Sequence, residues 1–260
     1  MKNRPFIFAL CFFAASFVAA RSEAQGNNHV AEVTVAAWMP SPEITLQSGS
    51  LTSATGITDI DFVQEFGIED KNFPDFRFVV GRSHKFRFGY TPVKYEADAT
   101  ITRTITFQGR TFTVGAPAST DIKWDIFRFG YEWDFVSRDA GYFGVIGELK
   151  YNHLDASIAS PALSTTAATE QKAPVPTIGV AGRGYPHPLV AIGGEFTGMK
   201  VAAGEFDGKF LDFDINAAVT LGKVIAVQGG YRAVTVDYII EDDTGDLKLK
   251  GPYIGATLKF

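Results

Sequence analysis

The stretch from Phe127 to Phe135 has an aromatic residue at every second position, and it restricts the fold more than any other feature of this 260-residue chain. The residues between the rings are Arg128, Gly130, Glu132 and Asp134. In an extended strand successive side chains point to opposite faces, so one face is a row of rings and the other is charged. Such a strand needs a large apolar neighbour, which is either a packed core or lipid.

Composition excludes one broad class of function. The formal net charge is −5, and Lys and Arg do not cluster anywhere along the chain. Binding a nucleic acid requires clustered cations that neutralise phosphates, so no nucleic-acid partner is expected. Hydrophobic residues make up 46% of the chain, which is enough for one large β domain.

The N-terminus has the features of an export signal. A positively charged start precedes an apolar stretch over residues 6–20, and small residues predict cleavage between Ala24 and Gln25, with cleavage after Ala20 as the alternative. We therefore predict a signal peptide over residues 1–24 and a single domain over residues 25–260. The only cysteine, Cys11, lies in the signal, so no disulfide is expected in the mature chain. After Gln25 no apolar run is long enough for a transmembrane helix, so the mature chain could span a membrane only as a closed barrel.

Alternation of apolar and polar residues recurs along the mature chain, whereas helical periodicity is scarce. Short and long connections also alternate, as in transmembrane β-barrels with short periplasmic turns and long extracellular loops. This rule predicts ten strands, at about 29–39, 74–82, 84–95, 121–136, 142–153, 175–185, 188–199, 209–219, 223–238 and 248–260. The long loops are then about 40–73, 96–120, 154–174 and 240–247. Segments 58–66 and 100–114 are assigned to loops, and eight or twelve strands are the alternatives.

The polar faces of these strands carry both acids and bases. A barrel of about ten strands is only slightly wider than the size that side chains fill, so these charges would form an ionic network that plugs the lumen. The predicted network is Arg128, Glu132, Asp134, Glu148, Lys150, Arg183, Glu195, Asp212, Asp214 and Arg232.

The last strand carries a resemblance to a known family. The relevant residues are Tyr253, Ile254, Ala256, Leu258 and the terminal Phe260. This segment resembles the C-terminal assembly signal of Gram-negative outer-membrane β-barrels, and the chain as a whole is similar to small barrels of the OmpA/OmpW class. The resemblance implies an all-β, antiparallel up-and-down transmembrane barrel in the bacterial outer membrane. It also implies contacts with outer-membrane lipid and lipopolysaccharide, and recognition of the last strand by the barrel-assembly machinery.

These features favour an integral envelope protein with a structural or surface role over three alternatives. A narrow pore for small solutes is the first, and a barrel enzyme that hydrolyses lipid or peptide is the second. For the enzyme, His153 beside Asp155 is the best acid–base candidate, because a carboxylate two residues away could orient the imidazole. A soluble exported barrel is the third. The histidines do not have metal-ligand spacing, so no metal or cofactor is expected.

Overall fold

The computed structural model describes residues 29–47, 59–203, 206–222, 224–240 and 243–260. The predicted signal peptide and Cys11 lie outside the described residues. In chain order the strands are β1 (Ala31–Trp38), β2 (Ser41–Gln47), β3 (Ile60–Asp61), β4 (Phe73–Gly81), β5 (His84–Thr100), β6 (Ile105–Phe107), β7 (Arg110–Phe112), β8 (Pro117–Arg138), β9 (Gly141–Ser160), β10 (Thr165–His187), β11 (Val190–Ala203), β12 (Phe206–Leu221), β13 (Ile225–Ile240) and β14 (Asp243–Lys259). One short helix, α1 (Phe62–Phe66), follows β3, and a single 3-10 turn (Pro161–Leu163) joins β9 to β10.

Ten of these strands form a closed antiparallel barrel. Their order around the wall is β1, β4, β5, β8, β9, β10, β11, β12, β13 and β14, and β14 pairs back with β1. The closing ladder runs from Glu32 opposite Lys259 to Trp38 opposite Tyr253. The all-β up-and-down barrel and its ten strands confirm the prediction from sequence. Within the part of the chain that the structure describes, no helix has the length and apolar character needed to cross a membrane.

The two ends of the barrel differ in their connections, but the predicted long loops at 154–174 and 240–247 are mostly strand. At one end, which we call the short-turn end, neighbouring strands join through tight turns. Gly81 closes one of them with a φ of 122°, where an added Cβ would lie 1.9 Å from the backbone oxygen of His84. The other end, which we call the long-loop end, carries β2, β3, α1 and the hairpin of β6 and β7. Residues 59–66 and 101–114, which the sequence analysis assigned to loops, therefore lie outside the barrel wall.

The strands are longer at the long-loop end than the sequence predicted. Most of the predicted loop at 154–174 is strand, because β9 continues to Ser160 and β10 begins at Thr165. Likewise, part of the predicted loop at 40–73 is β2, which pairs with the first half of β14. The prediction ended each strand where its outward apolar residues stop. Backbone ladders do not require outward apolar residues, so they continue beyond that point.

The apolar face of the strands changes sides along the barrel. Near the short-turn end of β8, rings such as Phe129 are half exposed, while Arg128 is buried. Near the long-loop end of the same strand, Trp124 is buried inside and Asp125 lies on the outer face. The switch falls where two apolar residues adjoin, at Ile126 and Phe127. The barrel thus has an apolar outer band with a charged interior near the short turns, and an apolar interior near the long loops.

Candidate functional site: the charged lumen

The residues predicted for the ionic network all lie on strands of the barrel wall. Arg128, Glu132 and Asp134 are on β8, Glu148 and Lys150 on β9, Arg183 on β10, Glu195 on β11, Asp212 and Asp214 on β12, and Arg232 on β13. Most of them are buried, and Asp214 and Arg232 have no exposed surface. Buried charges require partners, because an unpaired charge away from water is very costly. The distances below identify those partners.

Asp75 on β4 is the centre of the lumen. Its Oδ1 lies 3.0 Å from Arg128 Nη2 and 3.0 Å from Arg232 Nη1, and its Oδ2 lies 2.5 Å from Arg77 Nε. The Thr91 hydroxyl also donates to Oδ1, at 2.6 Å. Arg128 and Arg232 come from β8 and β13, so one carboxylate joins side chains that cross the barrel from different sides. Asp75 was absent from the predicted network.

A second set of contacts extends this network toward the long-loop end. Arg232 Nη2 lies 3.0 Å from Asp212 Oδ2, and Lys150 Nζ lies 2.7 Å from the same oxygen. The cations also contact rings, since Lys150 Nζ is 5.1 Å from the centroid of Phe210 and the Arg232 guanidinium is 5.0 Å from that of Trp38. These two rings lie at the boundary between the charged layer and the apolar interior on its long-loop side.

A third set lies near the short-turn end. Lys85 Nζ is 2.8 Å from Glu132 Oε1 and 2.7 Å from Asp134 Oδ2. Arg87 pairs with Glu132 at 2.6 Å and also with Glu195. Glu195 in turn lies 3.9 Å from Arg128, which connects this set to the centre. The charged layer therefore extends through several levels of the barrel.

Arg183 is the predicted residue that pairs apart from the others. Its Nη1 lies 3.2 Å from Glu32 Oε2, on β1. Asp214, by contrast, joins the centre through Arg77 Nη2 at 2.8 Å and accepts a hydrogen bond from the Tyr253 hydroxyl at 2.8 Å.

Sequence reasoning missed several members of the charged layer, namely Glu32, Asp75, Arg77, Lys85 and Arg87. A signal was available for four of them. Arg77 alternates with Phe76 and Phe78, and Lys85 and Arg87 alternate with Phe86 and Phe88, in segments already predicted as strands. Asp75 lies on the same face as Arg77, two residues away. Applying the alternation rule to every strand would have included them.

His153 lies on the outer face of β9, outside the lumen. Its Nε2 is 3.0 Å from Glu170 Oε1 and 3.5 Å from Asp155 Oδ1. Lys172 and His153 contact the Glu170 carboxylate, and these hydrogen bonds lower the pKa of Glu170. The ligand atoms of His153, Asp155 and Glu170 lie within 4.8 Å of one another and could reach a common cation. Sequence reasoning paired His153 with Asp155 but did not anticipate Glu170 from β10.

The residues of the C-terminal segment point in two directions. Ile254, Ala256, Leu258 and Phe260 are on the outer face, and Phe260 is 65% exposed. Tyr253 is buried inside the barrel. The backbone of Phe260 closes the wall, because its oxygen accepts hydrogen bonds from Val30 at 2.6 Å and Ala31 at 3.1 Å.

Comparisons with solved structures identify the fold. The structure resembles the outer-membrane protease OmpT from Escherichia coli with a TM-score of 0.57 and 9% identity, over 90% of this chain and 98% of that chain. Weaker similarities include the translocator domain of the autotransporter NalP from Neisseria meningitidis (TM-score 0.41, 11% identity, 90% of each chain). The attachment invasion locus protein Ail of Yersinia pestis is another (TM-score 0.38, 9% identity, 89% of this chain and 99% of that chain). No family model and no curated protein matches the sequence. The chain has the fold of Gram-negative outer-membrane β-barrels.

Proposed function

We propose that this chain is an integral protein of the bacterial outer membrane with a structural or surface role, and that its lumen is plugged. In this proposal the signal peptide is removed before Gln25, the short-turn end faces the periplasm and the long-loop end faces outward. The apolar outer band contacts the lipid of the membrane, and the charged groups above it contact lipopolysaccharide.

One observation carries the proposal of a closed lumen. The Asp75 carboxylate contacts guanidinium groups from three strands, and two of these, Arg128 and Arg232, reach it from different sides of the barrel. Side chains that pair across the lumen in this way support a closed lumen, because they occupy the space that a water path would need at that level. A barrel of ten strands is also too narrow to keep a wide channel once its interior is filled.

Conductance measurements test this proposal. We expect the refolded protein to give no stable open channel in a planar bilayer. The double variant Arg128→Ala, Arg232→Ala removes two of the three arginine side chains that contact Asp75, so we expect it to produce discrete current steps. Lys94→Ala is the matched control, because Lys94 lies on the outer face and is 44% exposed, and it should stay silent. A stable channel in the unmodified protein would instead support a narrow pore for small solutes.

The proposed partner of the last strand is the barrel-assembly machinery. The substitution Phe260→Ser keeps the backbone hydrogen bonds of the closing ladder but removes the exposed ring. We expect it to lower the amount of folded protein in the outer membrane of cells severalfold, while the purified variant still refolds in detergent. Phe196→Ser, at another outward ring that is 44% exposed, is the control and should assemble normally. Equal assembly of the two variants would contradict a role for Phe260 in recognition.

A further inference from the structure

The barrel wall contains a gap between β10 and β11. Their ladder begins at His187 opposite Val190 and ends at Ile178 opposite Gly198. Both strands continue toward the long-loop end, where β10 stays paired with β9 and β11 stays paired with β12. Within the described parts of both strands, no pairing joins them beyond Ile178 and Gly198. The wall is therefore open between β10 and β11 from this level to the long-loop end.

The sequence of β10 explains why the ladder stops there. Pro176 and Pro174 lie two and four residues beyond Ile178, the last paired residue, and neither proline has a backbone N–H to donate. Within sheets proline is confined to edges and to positions where no ladder bond is needed. The ladder with β9 nevertheless runs through both prolines, opposite Tyr151 and Leu149. The missing pairing is thus confined to the side that faces β11.

An apolar cavity lies behind the gap. Its enclosed space is about 60 Å³, and its surface is almost entirely apolar. Its walls come from both sides of the gap, with Val175 on β10 and Met199 on β11, and from the far side of the barrel. The main apolar contributors are Leu154, Val175, Met199, Phe210, Val236 and Leu247.

The cavity is separate from the charged layer. Phe210 lines the cavity and is also the ring that Lys150 contacts from below. A molecule in the cavity would therefore rest on the rings that cover the ionic network, without entering it. Closing the lumen and filling this cavity are independent properties of the barrel.

The height of the gap matches the edge of the apolar outer band. Below it the outer face carries Ile178, which is 74% exposed, and Phe196. Above it the first charged groups on the outer face are Lys172 on β10 and Lys200 on β11. Lys172 pairs with Glu170, and Lys200 makes no ion pair among the described residues. The opening thus lies between an apolar surface and a pair of ammonium groups, one on each side.

We propose that this cavity binds the terminal segment of an acyl chain of an anionic lipid, which enters sideways from the membrane through the gap between β10 and β11. The apolar walls fit the hydrocarbon chain, and the flanking lysines fit a negatively charged headgroup at the membrane surface. The lipid keeps its headgroup outside the wall, so no charge has to cross the apolar lining.

Photo-crosslinking in lipid nanodiscs tests this proposal. The photoreactive residue p-benzoylphenylalanine replaces Leu247, which is 2% exposed and lines the cavity on β14, away from the gap. Val93 carries the same replacement as the matched control. It is buried on the inner face of β5, opposite Trp124, but does not line the cavity. With acyl-labelled phosphatidylglycerol in the nanodisc, we expect labelling at position 247 and none at position 93.

Two further variants test whether the acyl chain enters from the β10 side and whether the headgroup must be anionic. Ala173→Trp fills the cavity from the β10 side and should reduce labelling at position 247 to that of the Val93 control. Lys200→Gln should reduce labelling by phosphatidylglycerol but not by phosphatidylcholine. Only protein that migrates as the folded, heat-modifiable form is counted. If the variant at Leu247 does not fold, the photoreactive residue is placed at Val236 instead. Equal labelling at positions 93 and 247, no labelling at either, or labelling only by free fatty acid added from solution would each overturn the proposal.

Discussion

Replacing Asp75 by asparagine is expected to lower the free energy of unfolding by about 3–5 kcal/mol, the usual cost of removing one partner from a buried ion pair. The side chain of Asp75 is 1% exposed and contacts three guanidinium groups. Asparagine keeps the size of the side chain but removes the negative charge that these groups share. Arg128 and Arg232 would then be left with less compensation in a space that water does not reach.

Urea unfolding of the protein refolded into lipid vesicles measures this effect, with the free energy extrapolated to zero denaturant. The matched control is Asp237→Asn. Asp237 also pairs with a cation, Lys209, at 3.0 Å, but both side chains are more than a third exposed. An exposed pair contributes only about 0–1 kcal/mol, so the control should unfold close to the unmodified protein. A similar loss in both variants would show that Asp75 is not the centre of the network.

Replacing Phe129 by arginine is expected to destabilise the barrel by about 2–4 kcal/mol, the cost of a cation on the lipid face near the middle of a membrane. Phe129 is 51% exposed and lies on β8 between Asp125 and Trp133, in the middle of the outer apolar band. Its ring is also 5.1 Å from that of Phe88, and this contact is lost. The measurement is the same urea unfolding in lipid vesicles.

Ile239→Arg is the control for this prediction. Ile239 is 48% exposed, which is nearly the same as Phe129, but it lies two residues beyond Asp237 toward the long-loop end of β13. Near the membrane surface an arginine costs only about 0–1 kcal/mol. If the two variants lose the same stability, the outer rings do not face lipid, and the soluble exported barrel becomes the better interpretation.

Much of the fold could be predicted because it depends on local patterns. Alternation with a period of two identifies each strand and its two faces without knowledge of its neighbours. The tight turns fix one end of each strand, as at Gly141, where β9 begins one residue before the predicted 142. The other ends were misplaced because the outward face becomes charged there while the ladder continues. In β8 the adjacent apolar residues Ile126 and Phe127 mark the point where the apolar face changes sides. Following the polar residues of one face alone does not reveal this change.

The contacts inside the lumen could not be predicted to the same extent. The sequence predicts that Arg232 points inward, but its partner Asp75 is 157 residues away and on a strand that is not its neighbour. Such a pair depends on the curvature and closure of the whole wall. His153 shows the same limit, since its contact with Glu170 depends on the register between β9 and β10.

The sequence by itself determined the strand count, the two alternating faces of each strand and the positions of the tight turns. These properties follow from side-chain alternation and turn chemistry, which act over a few residues. Only the tertiary structure decided which charges meet at Asp75, where the wall opens beside Pro174 and Pro176, and which apolar side chains enclose a cavity behind that opening. Closure of the sheet brings together residues that are far apart in the chain, and no local pattern specifies those distances.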